Sequence, residues 1–405
     1  MPQNPIIVIG VGISPHDLSE EKAQMISGAD VLVAGERLLS RFVHFKGRKI
    51  VIRSPLPSVM NAIEEERLQG RRVVVAAEGD PGFFGIGRKL LRAFGDQVVL
   101  LPNVTSLQAA ASRMRQTSES MVTVSLHGRG DIRPLFRALV RSDRVGAFTD
   151  PLFTPGRIAE ALISRGADLF RMWVFENMGE EGEKFGCFEL SEARTRSFSA
   201  LNFIVLERTG NPEIRPSLGL DDDLYLHEAG LITKKEVRAV GLAALGIAPH
   251  HTVWDLGAGC GSVSIEASLL AHEGAVLAVE KEERRAAMIH ENVRRMGAYA
   301  VETIRGEMPA CLKGLPEPDR IFVGGGLGRG KELLHESLTR LRPGGVMVLH
   351  IVLLGTLDRV RAHLRSIGWG YDLTHVQVSR SHDLAGDERL SSLNPVYILR
   401  ISKPS

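Results

Sequence analysis

Cysteine is nearly absent: Cys187, Cys260 and Cys311 are the three in a chain of 405 residues. They are far apart, odd in number and never in a CxxC pair. No disulfide framework follows, and a reducing compartment, the cytoplasm by default, is expected. HExxH and paired Cys/His spacings are missing too, so no structural metal is expected. Aromatic residues make up 5% of the chain, which leaves few rings to stack the bases of a nucleic acid. No apolar run exceeds strand length, which excludes a membrane-spanning helix. The opening "MPQNPIIVIGVG" lacks a basic n-region and reads as a first strand, not a secretory signal. The formal charge of +2 argues neither for nor against an anionic partner. Glycine runs the other way. Its 42 residues imply many tight turns and close backbone approaches.

The length fits two domains of moderate size, and 44% hydrophobic with 24% charged residues lets each bury a core. In the first half, "PIIVIGVG", "ADVLVAG", "RRVVVAAEGDPG", "QVVLLPNV", "SMVTVSLHG", "RVGAFTDP", "FRMWVFEN" and "NFIVLER" read as strands. Amphipathic helices lie between several of them. "IGRKLLRAF" aligns Ile86, Leu90, Leu91 and Phe94; "PGRIAEALISRG" aligns Ile158, Leu162 and Ile163 and stops at Gly166. This alternation predicts an α/β fold. The rhythm breaks over 207–230, where two prolines, three glycines and the triplet Asp221 to Asp223 give loop composition. The expected organisation is a domain over 1–212, a linker over 213–230 and a second domain over 231–405. In the second domain "TKKEVRAVGLAAL" predicts a helix with Thr233 as N-cap and Glu236 completing a capping box. Seven strands follow, the last two pairing antiparallel at one edge because no helix separates them.

The chemistry concentrates at "HHTVWDLGAGCGSVSIEASLL". A strand ends in Asp255, and Gly257, Ala258, Gly259, Cys260 and Gly261 lead into a helix, a place where backbone N–H groups face a ligand. Glu280 follows Gly261 by 19 residues, at the end of the next strand, where a carboxylate accepts both ribose hydroxyls. The spacing is G-x-G-x-G. The dinucleotide pattern G-x-G-x-x-G is missing, which counts against a nicotinamide oxidoreductase. Asp255 favours S-adenosylmethionine, whose ammonium suits a nearby carboxylate. The bland alternative is a tight strand-to-helix turn. Cys260 is explained as a small apolar residue. Gly325 to Lys331 matches G-x-x-x-x-G-K, but Glu332 stands where Ser or Thr must hold magnesium, so a triphosphate site is rejected. Gly324, Gly325 and Gly326 end a strand at the carboxyl edge of the sheet, open to a cofactor or flat substrate.

Together "ITKKEVRA", "WDLGAGCGSVSIEA", "AVEKEERRAAMIHENVRRMG", "GEMPACLKGLPEPDRIFVGGG" and "LRPGGVMVLHIVLL" resemble the C-terminal part of the decarboxylating precorrin-6B C5,15-methyltransferases of cobalamin biosynthesis. The resemblance covers 225–405. It implies a seven-stranded, Rossmann-like class I methyltransferase fold. It also places Thr233, Gly257 to Gly261, Glu280 and, through its backbone, Met308 against S-adenosylmethionine. In the first half "VIGVG", "AAEGDPGFFGIG" and "LPNVTSLQAA", in that order, resemble the tetrapyrrole methylases over about 4–210. That family binds S-adenosylmethionine in a cleft between two α/β lobes. The resemblance implies Gly10, Gly12, Asp80, Gly82, Thr105 and Ser106 on the cofactor side. Two positions depart from the family: Gly12-Ile13-Ser14-Pro15-His16-Asp17 replaces a common Gly-Pro-Gly-Asp, and Glu78 stands where serine is common.

The resemblances imply two S-adenosylmethionine sites, one per domain, and two methylations of one macrocycle. C5 falls to the first domain. C15 methylation and loss of carbon dioxide from the ring C acetate fall to the second, giving precorrin-8. The substrate's carboxylates call for cationic anchors. Candidates are Arg129 and Arg88 in the first domain and Lys234, Arg380 and Arg389 in the second. His350 and His382 are candidate proton handlers. The stretch "RRAAMIHENVRRM" reads as a solvated helix face. Nucleic-acid and membrane partners are not expected; a homo-oligomer is, because both resembled kinds self-associate. The rival reading is a methyltransferase of RNA or protein whose first half is a binding module.

Overall fold

A computed structural model describes residues 4–228, 230–325, 327 and 332–404. Contacts divide the chain into two compact units. The first comprises residues up to Gly130, Ser142–Arg157 and Arg171–Glu207; the second comprises Asp131–Arg141, Ile158–Phe170 and Arg208–Ser405. The second unit therefore takes up two segments that a single cut along the sequence would leave in the first.

The first unit holds two sheets. One runs β3-β2-β4-β1-β5 and is parallel throughout, from β1 (Ile6–Gly10), β2 (Val31–Ala34), β3 (Arg48–Val51), β4 (Val73–Ala77) and β5 (Val98–Leu101). Its central strands are continuous runs of valine, isoleucine and alanine because both faces are covered. Val31, Val33, Val73 and Val75 pack with Val59, Ile63 and Leu90 from helices on one side. Leu32, Val74 and Ala76 pack with Ile26, Leu38 and Leu39 on the other. The second sheet runs β6-β7-β10-β8-β9, from β6 (Val122–Ser125), β7 (Arg144–Phe148), β8 (Phe170–Glu176), β9 (Lys184–Glu189) and β10 (Asn202–Arg208). Two of these ten strands, β3 and β9, are not predicted from sequence. Both are edge strands with exposed, charged ends, so neither carries an apolar run. Leu91 also departs from its predicted stripe, being 42% exposed while Leu90 is buried.

The second unit is built on one sheet in the order β13-β12-β11-β14-β15-β19-β16. Its strands are β11 (Thr252–Leu256), β12 (Ala275–Glu280), β13 (Val301–Arg305), β14 (Arg320–Val323), β15 (Val346–Ile351), β16 (Asp372–Val376) and β19 (Val396–Ser402). The first five are mutually parallel, and β19 is antiparallel to both β15 and β16, the edge pairing that the missing helix predicts. The stretch around His382 forms a separate hairpin, β17 (Ser379–Leu384) with β18 (Asp387–Ser392), where the sequence reads as loop. Ala385 and Gly386, both at positive φ, make its two-residue turn.

Loop composition over 213–230 suggests a linker, and in the structure this segment is held in place. Gly219 N–H and Leu220 N–H donate to the Glu266 carboxylate at 3.0 and 3.1 Å, and the Tyr225 hydroxyl reaches the same group. Leu226 exchanges hydrogen bonds with the Asn292 side chain. The segment is a strap, lashed down by buried residues far away in sequence. The capping box at Thr233 is not made either. The helix Lys235–Leu245 starts from Lys234 with no side-chain cap, and Glu236 pairs with Arg380 instead.

Arg238 and Glu266 are both fully buried, and Arg238 Nε lies 2.7 Å from Glu266 Oε1. Arg238 also donates to the carbonyls of Thr233 and Leu220 and to Asp222. Removing one partner of such a pair leaves an uncompensated buried charge. Glu266→Ala is expected to destabilise the second unit by about 3–5 kcal/mol, read as a lower denaturant midpoint of that unit's unfolding transition.

Candidate active sites

In the second unit the chain leaves β11 through three glycines at positive φ, Gly257 (+72°), Gly259 (+61°) and Gly261 (+81°), and Gly261 is the N-cap of the helix Ser262–Leu270. The three do different things. A Cβ on Gly257 would lie 2.9 Å from the Gly325 carbonyl oxygen, and one on Gly261 would lie 3.0 Å from Ile289. A Cβ on Gly259 would meet nothing within 4 Å. Two glycines therefore serve packing, and the middle one faces open space in a conformation that disfavours any side chain. The loop is pinned to β12: Gly257 N–H and Ala258 N–H donate to the Val279 carbonyl, and Gly259 N–H donates to Glu280 Oε2 at 2.9 Å. Glu280 is buried at the end of β12, and its other oxygen accepts from the N–H groups of Lys281 and Glu282.

Asp255 is buried beneath this loop. One oxygen accepts from the Ser264 hydroxyl, and the other, Oδ1, has no hydrogen-bond partner among the described residues. Burial pushes the Asp255 carboxyl up to about 7, opposed by the Ser264 hydrogen bonds and reinforced by the Glu280 charge. Cys260 is buried and its thiol is pushed up by burial, which suits the packing role expected of it. Sequence reasoning misses Asn292. Its amide donates to the carbonyls of Cys260 and Leu226, at 2.9 Å each, and so ties strap to loop. The helix carrying it, Glu283–Met296, keeps the expected solvated face at Glu283, Arg284 and His290 but buries a stripe opposite: Ala286, Ile289, Asn292, Val293 and Met296. Their three- and four-residue spacing is the signal that could have found it.

The other second-unit candidates divide. Thr233 is half-buried, and its carbonyl is held by Arg238; Met308 is half-buried against the core. Gly324 and Gly325 follow β14, with Gly324 N–H bonded to the Leu256 carbonyl beside the loop. Gly326 lies outside the described residues. Lys234 Nζ lies 3.4 Å from the Gly230 carbonyl. Arg380 does not present a free charge to a substrate: Glu236 and Asp222 neutralise it, at 2.6 and 3.0 Å. Arg389 stands opposite His382 on the exposed hairpin, outside the seven-stranded sheet. His350 is a packing residue. Its ring lies T-shaped against Phe322, centroids 4.6 Å apart, and neither nitrogen has a partner among the described residues; burial pushes it down to about 4, so it is uncharged near neutral pH.

In the first unit, segments of both sheets enclose a cleft of about 640 Å³. Gly12, Asp80, Thr105, Ser106, Arg88 and Arg129 line it. Gly10 lies behind this lining, where a Cβ would sit 2.6 Å from the Gly79 carbonyl oxygen. Gly82 serves the turn, its N–H donating to Asp80 Oδ1 at 2.6 Å. Gly12 and Gly79 exchange two backbone hydrogen bonds, and Asp17 closes the loop between them by accepting from Ile13 N–H and Ser14 N–H. Thr105 caps the helix Ser106–Arg113 in a capping box with Gln108. An aromatic wall goes unpredicted: Phe83 touches Phe84 and Phe148, and Phe148 touches Phe203, with centroids 5.0–6.1 Å apart. Three distant segments supply these four rings, so overall aromatic scarcity hides their local concentration.

Residues 5–193 match the tetrapyrrole (corrin/porphyrin) methylases, and residues 223–403 match the precorrin methyltransferase domain. The chain is 32% identical to the precorrin-6Y C(5,15)-methyltransferase [decarboxylating] of a Sinorhizobium species over 389 residues, 94% of this chain and 92% of that one. It is 28% identical to the protein of the same name from Mycobacterium tuberculosis over 363 residues, 86% of this chain and 87% of that one. Among solved structures, the precorrin-6y C5,15-methyltransferase from Geobacter metallireducens GS-15 is 37% identical, with a TM-score of 0.45, over 46% of this chain and all of that one. The chain belongs to the decarboxylating precorrin-6Y C(5,15)-methyltransferase family, in which a tetrapyrrole methylase half precedes a precorrin methyltransferase half.

Proposed function

We propose that this chain is a bifunctional S-adenosylmethionine-dependent C-methyltransferase of corrin-ring biosynthesis. It methylates C5 and C15 of precorrin-6B (precorrin-6Y) and removes the ring C acetate carboxyl, giving precorrin-8. In this reading the first unit is a bilobal tetrapyrrole methylase, the second a Rossmann-like class I methyltransferase, and each holds one cofactor. The observation that carries it is Gly259, left-handed and facing open space beside the buried Glu280 carboxylate, with Asp255 Oδ1 near the end of β11 unpartnered among the described residues. These residues fit S-adenosylmethionine: Glu280 would accept from the ribose hydroxyls and Asp255 would take the ammonium. Thr233 and the backbone of Met308 complete the second-unit set. Gly12, Asp80, Thr105 and Ser106 would serve in the first unit. When bound, the cofactor supplies an already activated sulfonium methyl.

The chain's own task is then placement. The aromatic wall gives a flat macrocycle an apolar face and excludes water, and Arg129 anchors a carboxylate. In the second unit, Gly324 and Gly325 offer bare backbone to the macrocycle's edge. The acetate carboxyl leaves as carbon dioxide, its electron pair passing into the conjugated ring. A homo-oligomer belongs to the same reading: β16 is a sheet edge, and the neighbouring hairpin exposes Leu384 and Leu390. The RNA or protein reading loses its basis, because the first half has a cleft and a family match of its own.

Calorimetric titration of the full chain with S-adenosylmethionine is expected to show two sites. Glu280→Ala should remove one and leave the other; a single site in the unaltered chain would defeat the two-site reading. Gly259→Ala should fold with a loss of about 1–2 kcal/mol, the cost of a left-handed alanine, and weaken the second-unit site at least about tenfold. Gly257→Ala should instead lower the thermal midpoint markedly, since its Cβ collides with the Gly325 carbonyl. The Asp255 carboxyl titrates near 7 when folded and near about 4 when unfolded. The folded state thus holds an extra proton between those values, and stability falls as pH rises from about 4 to about 7. Asp255→Asn should flatten that slope in the ligand-free chain, measured by denaturant unfolding across the pH range.

A further inference from the structure

The cleft of the first unit is lined by five cationic side chains, Arg37, Arg41, Arg88, Lys89 and Arg129. They are not equivalent. No hydrogen bond or ion pair engages the side chains of Arg88, Lys89 and Arg129 among the described residues. Arg37 and Arg41 are occupied. Arg37 reaches Glu180 at 3.0 Å and Glu78 at 2.5 Å, and Arg41 reaches the same oxygen of Glu180 at 2.6 Å. All four of these side chains line the cleft. The arginines lie just beyond β2 of the first sheet, and Glu180 lies in the loop between β8 and β9 of the second. Asp150, also in the lining, differs: its carboxylate is consumed by the N–H groups of Gly128, Leu152 and Phe153 and is held below the usual range despite burial.

We propose that Arg37 and Arg41 recognise a second substrate carboxylate in this cleft, beside the one Arg129 anchors, and that Glu180 is a resident stand-in which that carboxylate displaces. The proposal rests on the reading of the first unit as a tetrapyrrole site and names the residues that set its specificity. Three observations carry it. The pairs are exposed, with Arg37 at 45%, Arg41 at 29% and Glu180 at 32%, a setting where ion pairs contribute little to stability. Glu180 is shared between two guanidinium groups, so its departure frees the Arg41 fork and one nitrogen of Arg37, whose other nitrogen stays with Glu78. The exchange also replaces one carboxylate by another, so neither arginine is left unpaired. A macrocycle with free acid side chains can make that exchange. An amidated or esterified one cannot, and it would meet Glu180 still in place.

The test uses the full chain and a stable porphyrin bearing several carboxylates, titrated by quenching of its fluorescence. Glu180→Gln removes the competitor and is expected to tighten one class of sites about three- to fivefold, while Arg41→Gln weakens the same class by a similar factor. The corresponding KM of the methylation substrate should move in the same two directions. A clamp that merely holds the fold would respond alike to loss of either partner, so weakening by both variants, or no change by either, overturns the proposal. Tightening by Glu180→Gln cannot come from damage to the fold, so that variant decides the matter even if Arg41→Gln folds poorly. If Arg129→Ala weakens the probe while both latch variants leave it unchanged, the site reading stands and this inference falls. No binding of the probe by the unaltered chain would overturn both.

Discussion

The second unit depends on one ion pair that cannot tolerate partial satisfaction. Arg238 and Glu266 are wholly removed from water, so each must find every partner inside the protein. Glu266 meets that demand with the N–H groups of Gly219 and Leu220 and the Tyr225 hydroxyl; Arg238 meets it with Asp222 and the carbonyls of Leu220 and Thr233. The strap is therefore a component of the core's electrostatics. Once it is in place, Leu226 is presented to Asn292, and Asn292 in turn holds the carbonyl of Cys260 in the glycine loop. A chain of obligatory hydrogen bonds runs from a buried charge to the glycine loop.

The two glycine-rich loops meet a common need by different means. In the second unit, positive φ at three alternate residues turns the chain, and a neighbouring strand's carboxylate, Glu280, fastens it. In the first, two loops fasten each other through the Gly12–Gly79 bridge, and Asp17 supplies the acceptor that stiffens the entry. Both arrangements direct carboxylates at backbone N–H groups, which fixes a loop without placing a side chain in the space the loop surrounds.

Legibility followed sequence distance. The turn at Gly257–Gly261 and the strand end at Glu280 could be placed from sequence because they lie on adjacent βα turns and each geometry is local. The α/β alternation was visible for the same reason: buried strands such as β2 and β4 are continuous apolar runs. The edge strands β3 and β9 have no such run, and the two strands of the β17–β18 hairpin are polar but for Leu384 and Leu390, so periodicity could not mark them. Arg380 shows the limit most plainly. Its charge is visible in the sequence, but its partners Asp222 and Glu236 lie some 150 positions away, and only the fold reveals that it is taken. Asn292 was hidden inside a helix whose many charges masked its buried stripe.

Gly241 and His350 carry a consequence of another kind. A Cβ on Gly241 would lie 2.3 Å from His350 Nε2, so the helix approaches β15 only because one partner has no side chain. The imidazole makes no hydrogen bond among the described residues and is present as volume. Across lineages, these two positions should change together: alanine at one obliges a smaller residue at the other, and the interval between helix and sheet is inherited as a pair.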